Sequence, residues 1–156
     1  MNIFILDYDI SKCAQYHCDK HVVKMILEYT QLLSTANRLS GLDEGYKATH
    51  INHPCAKWVR ESLANWFWFW LAGLLCELHQ EWKFRYNHTN KEHKAYTIAK
   101  SLYVPDLPLI DRTEFALAMP DEYKTEDAVE SYRTYYRNDK RHIATWKNRD
   151  KPEWWY

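Results

Sequence analysis

Glycine is scarce in this chain of 156 residues: Gly41, Gly45 and Gly73 are the full set. No two have the spacing of a dinucleotide fingerprint. None is followed by Lys-Ser or Lys-Thr, and none sits in Gly-x-Ser-x-Gly. A Rossmann turn, a Walker loop and a hydrolase nucleophile elbow are thereby excluded. So few glycines also argue against a β-sandwich built on tight turns. Net charge is lacking too, with 21 Lys plus Arg against 21 Asp plus Glu, so the mean charge selects no partner. The strongest apolar run, Trp66 to Cys76, is 11 residues long and too short to cross a bilayer, so no membrane partner is expected. Cys13, Cys18, Cys55 and Cys76 form no Cys-x-x-Cys pair. The chain is long for a disulfide-dense secreted scaffold, and no signal peptide is evident at its start. These features together predict a soluble protein in a reducing, cytoplasmic setting.

What the chain does contain is enough apolar residue for a core: 46% hydrophobic against 27% charged. One domain, residues 1–156, fits this length. Aromatics reach 16%, with eight Trp and twelve Tyr, and that excess needs a use in core or recognition. The charge is unevenly spread. Ser101 to Glu130 has eight acids and two bases, whereas Ser131 to Lys151 has seven bases and two acids.

Periodicity predicts an all-α domain of about three main helices behind an extended apolar arm, Met1 to Leu6. The first helix starts at Asp9 or Ser11 and ends near Gly41. Cys18, Val22, Met25, Tyr29, Leu32, Ala36 and Leu39 recur on one of its faces. After a loop from Gly41 to Asn52, His53-Pro54 reads as a cap and first-turn proline. A second long helix then runs to about Tyr86. Residues 87–120 read as irregular, interrupted by Pro105, Pro108 and Pro120. A third helix is expected from Thr125, as N-cap, to about Ile143.

Three constellations could carry chemistry. On a continuous first helix, His17, His21, Lys24 and Glu28 form one polar stripe. Two imidazoles, an amine and a carboxylate within a few turns can supply acid, base and nucleophile. The plainer reading is a solvated face with an ordinary Lys24–Glu28 pair. The stripe could also chelate one divalent metal ion through His17 and His21, with further ligands from His50, His53 or Cys55. Near the C-terminus, Tyr132, Tyr135 and Tyr136 interleave with Arg133, Arg137 and Arg141. Rings beside guanidinium groups suit a nucleic-acid backbone with bases to stack, and equally a tyrosine core face backed by a solvated basic one. His53 at a helix start, with Arg60 two turns on, could face an anion.

Gln15-Tyr16-His17, then His53 to Arg60, then Tyr132-Arg133-Thr134-Tyr135-Tyr136 follow an order that resembles the phage pyrimidine-dimer DNA glycosylase/abasic-site lyase family, of endonuclease V type. The chain is also similar to phage-type proteins of this length. The resemblance implies a small helical fold, DNA as partner, no cofactor, and an N-terminal α-amine as nucleophile beside a catalytic glutamate. Two departures matter. The family's amine belongs to a threonine freed by methionine removal, whereas here Met1 precedes the large Asn2. The family's glutamate falls near Lys24, with Glu28 one turn on.

These readings lead to an enzyme that releases a damaged or modified base from DNA, with or without lyase cleavage. Glu28 stabilises the sugar cation, and His17 or His21 serves the leaving base. Met1 or Lys24 is the amine. His53, Arg60, Tyr132, Arg133, Tyr135, Tyr136, Arg137 and Arg141 hold the strand. The alternatives are a metal-dependent enzyme using His17, His21 and His53, or a non-catalytic nucleic-acid-binding module. The first reading and the metal alternative both place the three histidines around one pocket between the first two helices.

Overall fold

The computed structural model describes residues 1–68 and 70–156, and these form helices and no strand. The described helices are α1 (Ile10–Tyr16), α2 (Asp19–Leu39), α3 (Pro54–Glu61), α4 (Leu63–Trp66), α5 (Leu71–Tyr86), α6 (Lys94–Ser101) and α7 (Ala128–Asp139). A 3-10 turn spans Asp121–Tyr123. The all-α class is as expected, but each of the three long helices is divided or shortened. None of the described helices is long and apolar enough to cross a membrane.

Asp9 caps α1, its carboxylate accepting from the Lys12 N–H at 2.9 Å. The helix then stops, because His17 and Cys18 are extended, with ψ of 132° and 162°. A new helix begins at Asp19. The break is tolerated because amides that lose helical partners gain tertiary ones. Cys18 N–H donates to the Tyr136 hydroxyl at 3.4 Å, and Asp19 N–H donates to the Thr145 carbonyl at 2.8 Å. The Asp19 carboxylate, at the positive end of α2, accepts from the Lys147 N–H at 2.8 Å and the Thr145 hydroxyl at 2.7 Å.

The buried face of α2 is the expected one, with Val22, Met25, Tyr29, Leu32 and Ala36 inside, except that Leu39 is exposed. Gly41 follows its end at φ +100°, a conformation that favours glycine. His53 caps α3 as anticipated. Its Nδ1 accepts from the Cys55 N–H at 3.1 Å, and Pro54 fills the first turn. The expected helix to Tyr86 is interrupted at Ser62, whose hydroxyl caps α4, and again before α5. Gly73 is required where α5 begins, because a side chain there would collide with the Trp68 carbonyl. Leu71, Leu74, Leu75, Leu78 and Trp82 bury α5 against α1 and α2.

Residues 87–120 are only partly irregular, since they contain α6, capped by His93. The N-cap of α7 is Asp127 rather than Thr125, accepting from Val129 N–H at 2.9 Å. Thr125 instead makes the preceding turn, donating its hydroxyl to the Asp127 carbonyl. The helix ends at Asp139, short of Ile143. One hydrophobic cluster links the arm to all of these elements except α6's outer face and the 3-10 turn.

A buried ion network ties the break to α5. Arg85, 1% exposed, donates to Glu81 at 2.7 Å, to Asp19 at 3.0 Å and to the Gln15 carbonyl at 2.8 Å. Arg149 adds two bonds to Glu81, at 2.8 and 2.9 Å. Removing one member leaves charge buried without its partner, which costs about 3–5 kcal/mol. Arg85→Met is therefore expected to lower unfolding free energy by that amount in urea titration. Arg85→Lys should restore little, since an ammonium cannot match a guanidinium fork across three acceptors. A loss below 1 kcal/mol for Arg85→Met would overturn this account.

Candidate active site

The site is built by the N-terminal arm. Ile3, Phe4, Ile5 and Leu6 are at most 4% exposed, yet they join no sheet. Side chains hold the arm's backbone instead. Phe4 N–H donates to the Tyr29 hydroxyl at 3.1 Å. The Cys13 thiol donates to the Phe4 carbonyl at 3.2 Å and accepts from Leu6 N–H at 3.4 Å. Arg133 Nε donates to the Leu6 carbonyl at 2.8 Å, and the Asn2 amide donates to the Ala118 carbonyl at 2.8 Å.

This anchoring brings the Met1 amine to the start of α3. The half-buried His53 ring binds protons less readily than usual, first because of burial. The Met1 ammonium and His50 lower its affinity further, and the Glu28 carboxylate opposes them. Amine, carboxylate and second imidazole thus all lie near enough to act on the His53 ring. Because Nδ1 of His53 accepts from Cys55 N–H, a neutral His53 ring carries its proton on Nε2, as a donor. Glu28 is largely covered, with its side chain 19% exposed. Lys24 Nζ lies 3.8 Å from Glu28 on a side chain that is 65% exposed. The burial on which a nucleophilic Lys24 depends is absent.

The histidine stripe is not formed. The extended residues at 17 and 18 take His17 off α2, and its ring turns into the core, fully buried. Its Nδ1 lies 2.7 Å from the Cys13 carbonyl, and its Nε2 lies 2.7 Å from the Tyr29 hydroxyl. A carbonyl only accepts, so Nδ1 carries the proton and Nε2 accepts from Tyr29. Burial pulls the His17 pKa down to about 4. His21 stacks on Phe4 at 4.4 Å, with Nδ1 2.5 Å from the Tyr136 hydroxyl. Burial, then the charges of His17, Lys140 and Lys24, bring His21 to about 3. Neither ring shares an open pocket with His53, contrary to expectation. Among the described residues, no group of three His, Cys, Asp or Glu side chains is placed to hold a metal ion.

Most of the expected strand-binding set is also committed internally. Tyr132 and Tyr136 are fully buried, and the Tyr132 hydroxyl donates to the Ala116 carbonyl at 2.6 Å. Arg133 pairs with Asp7 at 2.9 Å and lies over the Tyr16 and Trp154 rings. Arg137 pairs with Glu130 at 2.6 Å, donates to the Trp154 carbonyl and covers the Tyr156 ring. Arg141 reaches the Tyr156 carbonyl and the Trp155 ring. Arg60 donates to the Ala56 and Ile51 carbonyls, holding the loop before α3. Of the three tyrosines Tyr135 alone stays half-open, beside Phe4 and Tyr123, with Lys140 Nζ 5.0 Å above its ring. Sequence reasoning gave Tyr29, Cys13 and Lys140 no role in the site and weighed His50 only as a metal ligand. Tyr29 was visible only as one more member of the apolar face.

A family model described as pyrimidine dimer DNA glycosylase matches residues 1–94. The matched stretch includes Met1, Lys24, Glu28, His50 and His53. No curated protein and no solved structure matches the chain.

Two outcomes follow from the buried groups. His17 and His21 hold their protons less tightly when folded than when unfolded, so their contribution is whole above an ordinary histidine pKa of 6.5. It is lost as pH falls from there toward 4 and 3. At pH 5 the loss should be about 2 kcal/mol per ring. Urea midpoints should drop accordingly between pH 7.5 and pH 5, and a flat profile would contradict the assignment. Separately, Arg133→Ala with Arg137→Ala should lower thermal stability while leaving the salt dependence of DNA binding unchanged. A log–log slope reduced by about 0.9 per arginine would instead mean that both contact phosphates.

Proposed function

The chain belongs to the pyrimidine dimer DNA glycosylase family, and on that premise we propose that it excises a pyrimidine-dimer base from DNA with the Met1 α-amine as nucleophile. The supporting observation is the meeting of the Met1 ammonium, the Glu28 carboxylate and the His53 ring in one electrostatic neighbourhood. An α-amine ionises near 7.7–8.0, against about 10.4 for lysine, so it offers a free lone pair near neutral pH with little help. Lys24, exposed and beside Glu28, orients that carboxylate and meets phosphate.

The damaged base must first leave the helical stack. The amine nitrogen attacks C1′ of the sugar as the bond from C1′ to the base breaks. Positive charge develops on the sugar, and Glu28 stabilises it. The departing base takes the electron pair, with His53 Nε2–H as hydrogen-bond donor to it, and is protonated by water. The nitrogen then sheds one proton, the C1′–O4′ bond breaks with that proton passing to O4′, and the opened sugar is left as a protonated imine at C1′. In the lyase step Glu28 removes a proton from C2′, and the C3′–O bond breaks to release the 3′ phosphate. Water hydrolyses the imine and returns the amine. Every group in this route comes from the chain and the DNA, so it calls for no cofactor. Lys24 beside Glu28, His50 near His53, and Lys140 and Tyr135 beside Phe4 of the arm are the proposed strand contacts.

Borohydride reduction in the presence of ultraviolet-irradiated duplex tests the reading. A covalent adduct mapping to the N-terminal peptide is expected. Glu28→Gln should slow base release by about 10²-fold or more. Lys24→Ala should weaken binding with less than a tenfold effect on the chemical step. Base release without an adduct would mean that water is the nucleophile, and an adduct on Lys24 would overturn the assignment to Met1.

A further inference from the structure

Met1 lies three residues ahead of Phe4, the first arm residue whose amide is held by α2. The hydrogen bonds behind that amide form a directed chain. The Cys13 carbonyl accepts from His17 Nδ1–H, and His17 Nε2 accepts from the Tyr29 hydroxyl, each at 2.7 Å. The Tyr29 oxygen in turn accepts from Phe4 N–H at 3.1 Å. Each direction is forced. The carbonyl cannot donate, so His17 must present a bare nitrogen to Tyr29, and the Tyr29 lone pairs are then left for Phe4. Cys13, His17 and Tyr29 are fully buried, and Phe4 is 4% exposed, so water cannot substitute for a missing member.

Tyr29 is also the residue after Glu28. The helical turn that presents the carboxylate is therefore the turn that grips the arm carrying the amine.

We propose that Tyr29 is a positioning residue for the glycosylase reaction, its hydroxyl oriented by His17 so that the arm delivers the Met1 amine to Glu28. This rests on the reading of Met1 as nucleophile. Catalytic groups displaced by about 1 Å can lose about 10²-fold in rate, so one hydroxyl far from the substrate can control the chemical step. His17, which reads from sequence as an acid or base, acts instead through Tyr29.

Tyr29→Phe deletes only the hydroxyl and keeps the ring in the core. The test is single-turnover borohydride trapping on irradiated duplex at saturating protein, well below the unfolding temperature of each variant. Circular dichroism at the assay temperature confirms folding. Tyr29→Phe is expected to slow trapping by tenfold or more while its DNA Kd stays within twofold of the parent. His17→Leu should slow trapping to the same extent. The double variant should be no slower than either single one, because both break one chain of bonds. His17→Gln, which keeps a donor and an acceptor, should recover most of the rate. Should the parent protein give no adduct, the Met1 reading and this inference fall together. Should the parent trap normally and Tyr29→Phe trap equally fast, this inference alone is overturned. Additive losses, or a weakened Kd at an unchanged trapping rate, would likewise reduce Tyr29 and His17 to structural residues.

Discussion

An extended segment buried in a helical core has no neighbouring strand to satisfy its backbone, so each amide and carbonyl needs a separate partner. That constraint organises this molecule. Tyr29, Cys13 and Arg133 reach the arm from α2, α1 and α7. An unpartnered buried group costs about 1–3 kcal/mol, so several at once would exceed what a domain this size can absorb. The Cys13 thiol therefore serves as a hydrogen-bond partner, and the four cysteines are free. The break between α1 and α2 belongs to the same arrangement. His17 must leave the helix to meet Tyr29, and the amides it frees are taken up by Tyr136 and Thr145.

The aromatic excess and the basic C-terminal stretch have a shared use. Trp154, Trp155 and Tyr156 lie against guanidinium groups of α7 and of Arg141 just beyond it. The acids that answer these bases are internal: Asp7 on the arm, Glu130 on α7 and Glu81 on α5. Arg133 joins both systems, bonding Leu6 of the arm while stacking between Tyr16 and Trp154. A run that looks like a nucleic-acid patch thus fastens the chain's two ends to its centre. What remains open beside the arm is Tyr135 with Lys140.

Electrostatics separates the histidines into two kinds. His17 and His21 are neutral structural groups whose pKa values fall to about 4 and about 3. His53 is only half-buried and lies where the Met1 ammonium and the Glu28 carboxylate pull its affinity in opposite directions. A ring so placed can present its Nε2–H to a substrate, whereas an enclosed one cannot reach it.

The sequence by itself determined the all-α class, the buried face of α2, the caps at Asp9 and His53, and the exclusion of glycine-loop nucleotide folds. Each of these depends on residues within about one helical turn of one another, so local pattern suffices. It also carried the family resemblance, through short stretches that keep their order. Only the tertiary structure decided that the first helix divides, that His17 and His21 turn inward, and that Tyr132, Tyr136, Arg133 and Arg137 serve the core. Several of the partners responsible are remote in sequence, as with Tyr136 on Cys18, 118 residues away, and Arg133 on Leu6, 127 residues away. A helical stripe drawn from sequence assumes an unbroken helix, and no local signal at His17-Cys18 reveals that distant hydroxyls and carbonyls are waiting to replace the lost bonds. The place of the Met1 amine was likewise a tertiary decision, because an arm with no regular structure has only its anchors to define where it ends.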